Sequence, residues 1–264
     1  MKKRIYGLIK LIAMVPFFIA VVSNLAFAES KAISILERAD KAFTSAKIYS
    51  VATMTIYKSG KPRTVVEIES YSMSSRDKYY SLTIYRKPAR LKGTAYLVID
   101  NDLWVRFSST GRIRKLSSSA RENSAGGSDF SYNDMGESGK GMAEKYNSRL
   151  LSDRAVIDRR KCYEIELTPK ESGKDKSSYE KVVVFIDREN YHYLKIDYYK
   201  SGANIKSLYL SDYRTVGGVD YPFKLTMESH TEPTKTEIIT TEIELDSPKV
   251  KKSLFTTSYL KRIR

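Results

Sequence analysis

The chain has 264 residues, a length that one β domain can fill undivided. It contains one cysteine and two histidines, which excludes an internal disulfide and leaves little from which a metal site or a hydrolytic triad could be built. The formal net charge of +15 favours acidic partners through long-range attraction and carries no information on the fold.

The first 28 residues have the organisation of a secretory signal peptide. Residues 2–4 are basic, residues 11–22 are almost wholly apolar, and residues 26–28 (Ala-Phe-Ala) form a small-x-small cleavage pattern. Because the apolar core is shorter than the roughly 20 residues of a membrane-spanning helix, we expect cleavage after Ala28 and not a retained anchor. Residues 29–264 then form one exported domain in the periplasm, where its charge meets anionic lipid head groups and acidic proteins instead of nucleic acid.

The mature part begins with one amphipathic helix and continues as strands. Residues 31–46 place Ile33, Leu36, Ala39 and Phe43 at helical spacing. Beyond them the pattern alternates with a period of two and is rich in Tyr, Val, Ile and Thr. Eleven strands are predicted, at residues 49–58, 63–71, 78–86, 94–100, 103–107, 161–168, 180–187, 191–199, 204–211, 219–229 and 235–245.

Short turns between these strands are typical of an antiparallel meander. So many strands must protect their edges, and curling one sheet most of the way round is a common solution, which leaves a concave apolar surface inside. One segment, residues 117–151, interrupts the strand pattern with clustered Ser and Gly followed by a short helix. A break of this length inside a compact domain is usually functional or partly disordered.

The sequence does not contain the residue patterns of common catalytic or metal-binding motifs. His192 and His230 lie in different predicted strands, and neither has a partner at paired-ligand spacing. The glycine-rich residues 136–141 lack the spacing of a phosphate-binding loop. Cys162 alternates as a strand residue would and is interpreted as a buried structural thiol. We therefore expect no enzymatic activity, no metal and no cofactor.

Tyrosine is abundant, with 20 residues, beside the single Trp104. Such rings line apolar cavities while a polar tip reaches water, and they also fill ordinary β cores. For any single ring the core is the better interpretation, whereas the set as a whole favours an apolar groove.

Three features in order resemble the LolA-like outer membrane lipoprotein-sorting proteins. The first is the strand around Trp104, followed by the basic residues 112–115 and then residues 127–135 (GSDFSYNDM). The second is Tyr221-Pro222 at the opening of a strand, and the third is the ending at residues 254–260 (LFTTSYL). The likeness runs from about residue 33 to the C-terminus.

The resemblance implies a mainly β fold: an incomplete, unclosed antiparallel β-barrel of about eleven strands with an N-terminal helix and a short helical lid. It also implies that residues 29–264 form a single LolA-like domain whose apolar cavity receives acyl chains in the periplasm, together with an inner-membrane export complex of the RND type or similar. The chain departs from the family at residues 108–111 (Ser-Ser-Thr-Gly), where a proline-containing apolar turn is more usual.

The leading functional hypothesis is a monomeric periplasmic carrier that binds the acyl chains of lipoproteins or lipids. It would ferry them from the inner membrane toward an outer-membrane acceptor, without any nucleic-acid partner. A lipid-sensing regulatory protein and a ligand-free adhesin or scaffold remain as alternatives, because a fold does not fix its cargo.

Candidate site residues were chosen by strand position and size. The groove candidates are Tyr96, Val98, Trp104, Phe107, Phe185, Leu194, Ile196, Leu208 and Phe223. The lid candidates are Phe130 and Tyr132, and the candidates for contact with head groups or with the transporter are Arg112, Arg114 and Lys115. A slip of one residue in a strand would turn any groove candidate to the other face of the sheet.

Overall fold

The computed structural model describes residues 30–41, 47–75, 78–136, 141–170 and 178–263. The predicted signal peptide and residues 42–46 of the predicted first helix lie outside this part of the chain. Within it, no helix has the length and apolar character needed to cross a membrane.

Thirteen strands form one antiparallel, unclosed sheet. They are β1 Lys47–Lys58, β2 Lys61–Ser75, β3 Lys78–Lys87, β4 Ala95–Ile99, β5 Asp102–Arg106, β6 Ile113–Lys115, β7 Tyr146–Ile157, β8 Arg160–Pro169, β9 Lys181–Asp187, β10 Tyr193–Lys200, β11 Ala203–Val216, β12 Val219–Ser229 and β13 Thr234–Leu245. Their order is β6-β5-β4-β3-β2-β1-β13-β12-β11-β10-β9-β8-β7, so the first and last strands pair in the middle and β6 and β7 are the edges. This confirms the predicted mainly β, unclosed antiparallel fold.

Two strands were missed, so the predicted number of about eleven was too low. Strand β6 has three residues, too few to show alternation. Strand β7 is an edge strand in which only Tyr146 and Ser148 are fully buried, and its polar residues read as loop. The predicted break at residues 117–151 therefore ends at residue 145 in the structure.

Four short helices complete the fold. They are α1 at residues 30–41, α2 Tyr132–Gly136, α3 Met142–Lys145 and α4 Thr257–Arg262, with single 3-10 turns at Ser119–Glu122 and Lys252–Leu254. Helix α1 buries Ala32, Ile35, Leu36 and Ala39, a stripe at i, i+3, i+4 and i+7. Ile33, which was predicted to lie on this stripe, is 36% exposed beside it.

The sheet has two apolar faces. The inner face, which carries α1, holds two clusters that Ile238 joins, because Ile238 stands opposite Met54 on one side and Leu225 on the other. The outer face holds a third cluster over β3, β4 and β5. As predicted, Cys162 is buried, and its burial raises the pKa of the thiol.

The outer cluster is closed by the C-terminal residues. Val250, Phe255, Leu260 and Ile263 are almost fully buried there, and the Phe255 ring lies 5.5 Å from that of Tyr80. Helix α4 begins at Thr256, whose hydroxyl accepts a hydrogen bond from the Tyr259 amide at 3.0 Å. No helix was predicted here, because six residues are too few for a periodic pattern.

Replacing Leu260 by Ala should lower the free energy of unfolding by about 2–5 kcal/mol, because the side chain is fully buried and leaves a cavity. The exposed neighbouring Lys261 provides the control: Lys261→Ala should change stability by less than about 0.5 kcal/mol. Urea unfolding followed by circular dichroism measures both. Equal losses in the two variants would show that the C-terminal residues do not seal the outer face.

Candidate functional site

The inner face of the sheet is closed by parts of the chain that are not strands. We call them the cover: residues 30–41, 116–136 and 141–145. Ala32, Ile35, Leu36, Ala39 and Phe130 of the cover are core members of the inner cluster over β8 to β12. Leu116 and Tyr132 pack on the second inner cluster, over β1 to β5.

Five of the nine groove candidates share this covered face. Tyr96, Val98 and Phe107 belong to the cluster over β1 to β5, and Ile196 and Leu208 belong to the cluster over β8 to β12. All except Phe107 are buried.

Trp104 and Phe185 lie on the opposite face from these five. Trp104 pairs with Leu97 in the outer cluster, whereas Tyr96 pairs with Val105 in the inner one. Phe185 alternates with the inner residue Val184, and the Lys195 ammonium lies 5.4 Å from its ring centroid. Successive residues of a strand point to opposite faces, so the choice by size alone combined two surfaces.

Leu194 and Phe223 are buried but belong to none of the three clusters. Leu194 lies at an irregularity where the register between β9 and β10 shifts. The Phe223 ring is capped by the Arg214 guanidinium, 4.4 Å from its centroid. The position of Leu194 does not follow from simple alternation, because a bulge changes which side a residue faces.

The two lid candidates lie in the cover. Phe130 is buried beside α1, and the Tyr132 ring lies 5.7 Å from the Tyr96 ring. Around them, residues 124–131 fold back on themselves through a bridge between Ser124 and Ser131. The predicted segment therefore does lie against the groove candidates.

One glycine brings the cover close to the sheet. Gly126 has a φ of +64°, and a Cβ atom built there would lie 3.2 Å from the Tyr85 hydroxyl and 3.3 Å from that of Tyr96. Burial raises the pKa of Tyr85 to about 12. Glycine is thus required twice, for its backbone conformation and for the close approach to two buried tyrosines.

Asp134 is the first of three aspartates that anchor the cover. Its carboxylate pairs with the Lys206 ammonium at 2.5 Å and accepts a hydrogen bond from the Tyr179 hydroxyl at 2.8 Å. Both charged side chains are nearly buried, at 4% and 10% exposure. Burial, and then the charge of Asp134, raise the pKa of Tyr179 above its ordinary value.

Asp129 and Asp40 are the other two aspartates that anchor the cover. The carboxylate of Asp129 accepts hydrogen bonds from the hydroxyls of Thr234 at 2.5 Å and Thr236 at 2.6 Å, both on β13. Asp40 of α1 accepts from the Tyr193 hydroxyl at 2.8 Å and from the Ala143 amide at 3.1 Å. Hydrogen bonds to charged groups are the strong ones, so these three residues fix the position of the cover. The sequence carried no signal for them, since their partners are 45 to 153 residues away.

A cavity of about 450 Å³ lies beside the Asp129 and Asp134 anchors. Seven of its residues are serines or threonines, and only Tyr179 and Ile205 offer much apolar surface. The concave apolar opening expected from the sequence is not what this cavity provides, because polar groups make up about half of its lining. The apolar part of the inner face is filled by the cover instead.

One serine–histidine contact was not expected. The Ser207 hydroxyl lies 2.8 Å from His230 Nε2 and donates to Asp197. The aspartate binds the serine and not the imidazole, and Ser207 is fully buried, so the arrangement lacks both the order and the access of a catalytic triad.

The other histidine also has structural contacts: His192 stacks on Tyr213 at 3.9 Å and contacts Asp220 at 3.0 Å. Among the residues that the structure describes, no group of three or more His, Cys, Asp or Glu could hold a metal ion.

The candidates for contact with head groups lie at the β6 edge. Arg112, Arg114 and Lys115 are all exposed. Arg114 pairs with Val105 of the inner cluster, whereas Lys115 pairs with Trp104 on the outer face. Lys115 also forms an ion pair with Asp102 at 2.7 Å.

A family model described as "Uncharacterized protein" matches residues 77–262. The chain belongs to this family. No curated protein matches the sequence significantly.

Solved structures of the same architecture extend the comparison. A DUF1329 family protein from Desulfovibrio piger is 25% identical, with a TM-score of 0.81 over 88% of this chain and 99% of that one. An outer membrane lipoprotein-sorting protein domain from Vibrio parahaemolyticus is 22% identical, with a TM-score of 0.79 over 89% and 100%. A LolA superfamily protein from Nitrosomonas europaea is 21% identical, with a TM-score of 0.71 over 86% and 98%. These likenesses confirm the LolA-like fold.

The energetic cost of the close approach at Gly126 can be measured by comparison with the neighbouring Gly127. Gly126→Ala and Gly127→Ala both place a side chain at positive φ, which costs about 1–2 kcal/mol. Only Gly126→Ala also crowds the two tyrosine hydroxyls, whereas nothing lies within 4 Å of the corresponding atom at Gly127. We expect Gly126→Ala to cost about 1 kcal/mol more. Urea unfolding, together with amide exchange of residues 123–131, measures the difference in stability between the two variants. If both variants lose the same free energy of unfolding, the cover lies farther from the tyrosine hydroxyls than the structure shows.

Alkaline pH should weaken the folded state. A buried tyrosine with a raised pKa keeps its proton in the folded chain at a pH at which the same tyrosine in the unfolded chain, with a pKa of about 10, has lost it. The free energy of unfolding therefore falls as the pH rises beyond about 10. Tyr179→Phe removes one such group and should make this decline less steep. Urea midpoints between pH 8 and pH 11 measure it, and an unchanged slope in the variant would contradict the prediction.

Proposed function

We propose that the chain is a periplasmic carrier that holds the acyl chains of a lipoprotein or lipid against the inner face of its sheet. The observation that carries this proposal is the way in which the cover is attached. Within the described residues, 123–136 and α1 make no backbone-to-backbone hydrogen bond to the sheet, and every hydrogen bond between them and the sheet involves a side chain, as between the Asp129 amide and the Thr236 hydroxyl. These two parts of the cover can therefore leave the inner face without breaking a β-ladder, and they occupy the place that acyl chains would take.

The energetics allow such an exchange. Uncovering Ile35, Leu36 and Phe130 costs about 1.5–3 kcal/mol each. Burying hydrocarbon returns about 0.8 kcal/mol per methylene, or about 11 kcal/mol for a chain of about 14 methylenes. One acyl chain offsets the cost of uncovering these three side chains, and two or three offset the wider contacts of the cover.

Partners and location belong to the same proposal. The signal-peptide pattern at residues 1–28 supports export, with cleavage after Ala28. An inner-membrane transport complex of the RND type or similar would supply the cargo, and an outer-membrane acceptor would take it. We expect a monomer, since the chain covers both faces of its own sheet.

Native mass spectrometry of protein purified gently from bacterial periplasm tests the proposal. We expect masses with bound species that carry two or three acyl chains. Lys206→Met removes the buried cation of the anchor and should raise both this occupancy and the fluorescence of an apolar dye. The reason is that Asp134 loses the ammonium that holds the cover closed.

Lys200→Met is the matched control, because Lys200 pairs with Glu122 at 2.8 Å with both side chains nearly half exposed. It should behave as the wild type, since exposed pairs contribute little. Circular dichroism establishes that the sheet is intact in both variants. Clean ligand-free masses for the wild type and for Lys206→Met, with an intact sheet, would refute the carrier.

A further inference from the structure

Two loops meet at the end of the sheet where β3 and β5 finish. Residues 88–94 follow β3, whose last residue is Lys87, and residues 107–112 connect β5 to β6. The Ser108 hydroxyl bonds the Arg90 carbonyl at 3.3 Å, and the Arg106 guanidinium bonds the Gly93 carbonyl at 2.7 Å. Arg90 also reaches the Thr64 hydroxyl at 3.5 Å, which adds the start of β2 to the same surface.

This surface is strongly basic. We call its exposed cations the basic rim: Arg63, Lys87, Arg90, Lys92 and Arg112. Among the described residues, only Lys87 of the rim has an acidic partner, Glu67 at 2.8 Å. Four positive charges therefore face solvent at one end of the sheet without compensation. Arg114 follows Arg112 on β6, whereas Lys115 is already paired with Asp102 and is not part of the rim.

Apolar side chains lie between these cations. Leu91 belongs to the first loop and Phe107 to the second, and both are only partly buried, against the inner cluster that contains Tyr96. The rim is thus continuous with the edge of the covered inner face. Cations on flexible stems around partly exposed apolar groups match the boundary of a bilayer, where phosphates surround hydrocarbon.

We propose that the basic rim docks the protein on an anionic phospholipid surface. The guanidinium and ammonium groups of Arg90, Lys92 and Arg112 contact phosphates, and Leu91 and Phe107 lie at the level where acyl chains begin. A membrane fits better than a shaped protein partner, because the charges are spread over two loops and a strand start, and mobile lipid phosphates can adjust to them. The docking itself is independent of cargo; only the passage of acyl chains from this edge to the inner face rests on the proposed carrier function.

The test compares two triple variants with the same change in net charge. The rim variant is Arg90→Gln, Lys92→Gln, Arg112→Gln. The control is Arg154→Gln, Arg159→Gln, Lys161→Gln, whose exposed residues lie on β7, on β8 and in the turn between them, at the other edge of the sheet. The mature protein is sedimented with vesicles of phosphatidylglycerol and phosphatidylcholine, and with vesicles of phosphatidylcholine alone. Urea unfolding verifies that both variants are folded.

Each basic residue near an anionic surface contributes about fivefold to binding, so the rim variant should bind mixed vesicles about 100-fold more weakly than the wild type. The control should stay within about threefold, and high salt should release the wild type. Absence of binding by the wild type, or equal losses in the two variants, overturns the rim. Ligand-free native masses with intact vesicle binding would overturn the carrier and leave the rim in place.

Discussion

A sheet of thirteen strands that does not close must have both of its apolar faces covered, and the chain has few residues with which to do so. Nearly all of the described chain from residue 47 to residue 245 is strand or turn, apart from residues 116–145. The C-terminal residues cover the outer face over β3 to β5. Helix α1, residues 116–136 and residues 141–145 are left for the inner face, and they cover it.

The two covers are held by different physical means. The outer one depends on apolar packing by Val250, Phe255, Leu260 and Ile263. The inner one combines apolar packing with the carboxylates of Asp40, Asp129 and Asp134. A buried ion pair adds little net stability compared with apolar side chains, but it favours one position of the cover over others. The whole interaction is lost when the two partners separate. An anchor of this kind suits a cover that has two positions better than one that never moves.

The strands could be predicted from the sequence because the alternation of residue types along a strand is visible within a short segment. Eleven strands were recognised, because their residues are rich in Tyr, Val, Ile and Thr and lie between clear turns, whereas the two missed strands, β6 and β7, form the edges, where few side chains are buried. The order of strands did not follow from alternation. Pairing of β1 with β13 joins residues about 190 positions apart, a distance that no local pattern encodes.

The candidate site was less accessible to sequence reasoning, for the same reason. Residue type and size identified apolar groups, but the face of each depends on register, and Trp104 and Phe185 lie on the outer side. The anchoring aspartates read as ordinary surface residues until their partners on distant strands were known. The lid segment was recognised only because it interrupts the strand rhythm, which is itself a local signal.

On the proposed function, the distribution of charge decides which part of the protein would meet a membrane first. At the inner anchors each carboxylate of the cover accepts a hydrogen bond from the sheet or from another cover element, and Asp134 is also paired with the Lys206 ammonium. The excess of cations lies instead at a sheet end, around Leu91 and Phe107, where the inner cluster reaches the surface. A long-range field orients an approaching protein before any apolar contact forms, because Coulomb attraction acts over about 10 Å whereas hydrocarbon burial requires contact. An anionic surface would therefore meet the partly exposed edge of the inner face before it meets the anchored cover, and opening would begin where hydrocarbon is already within reach.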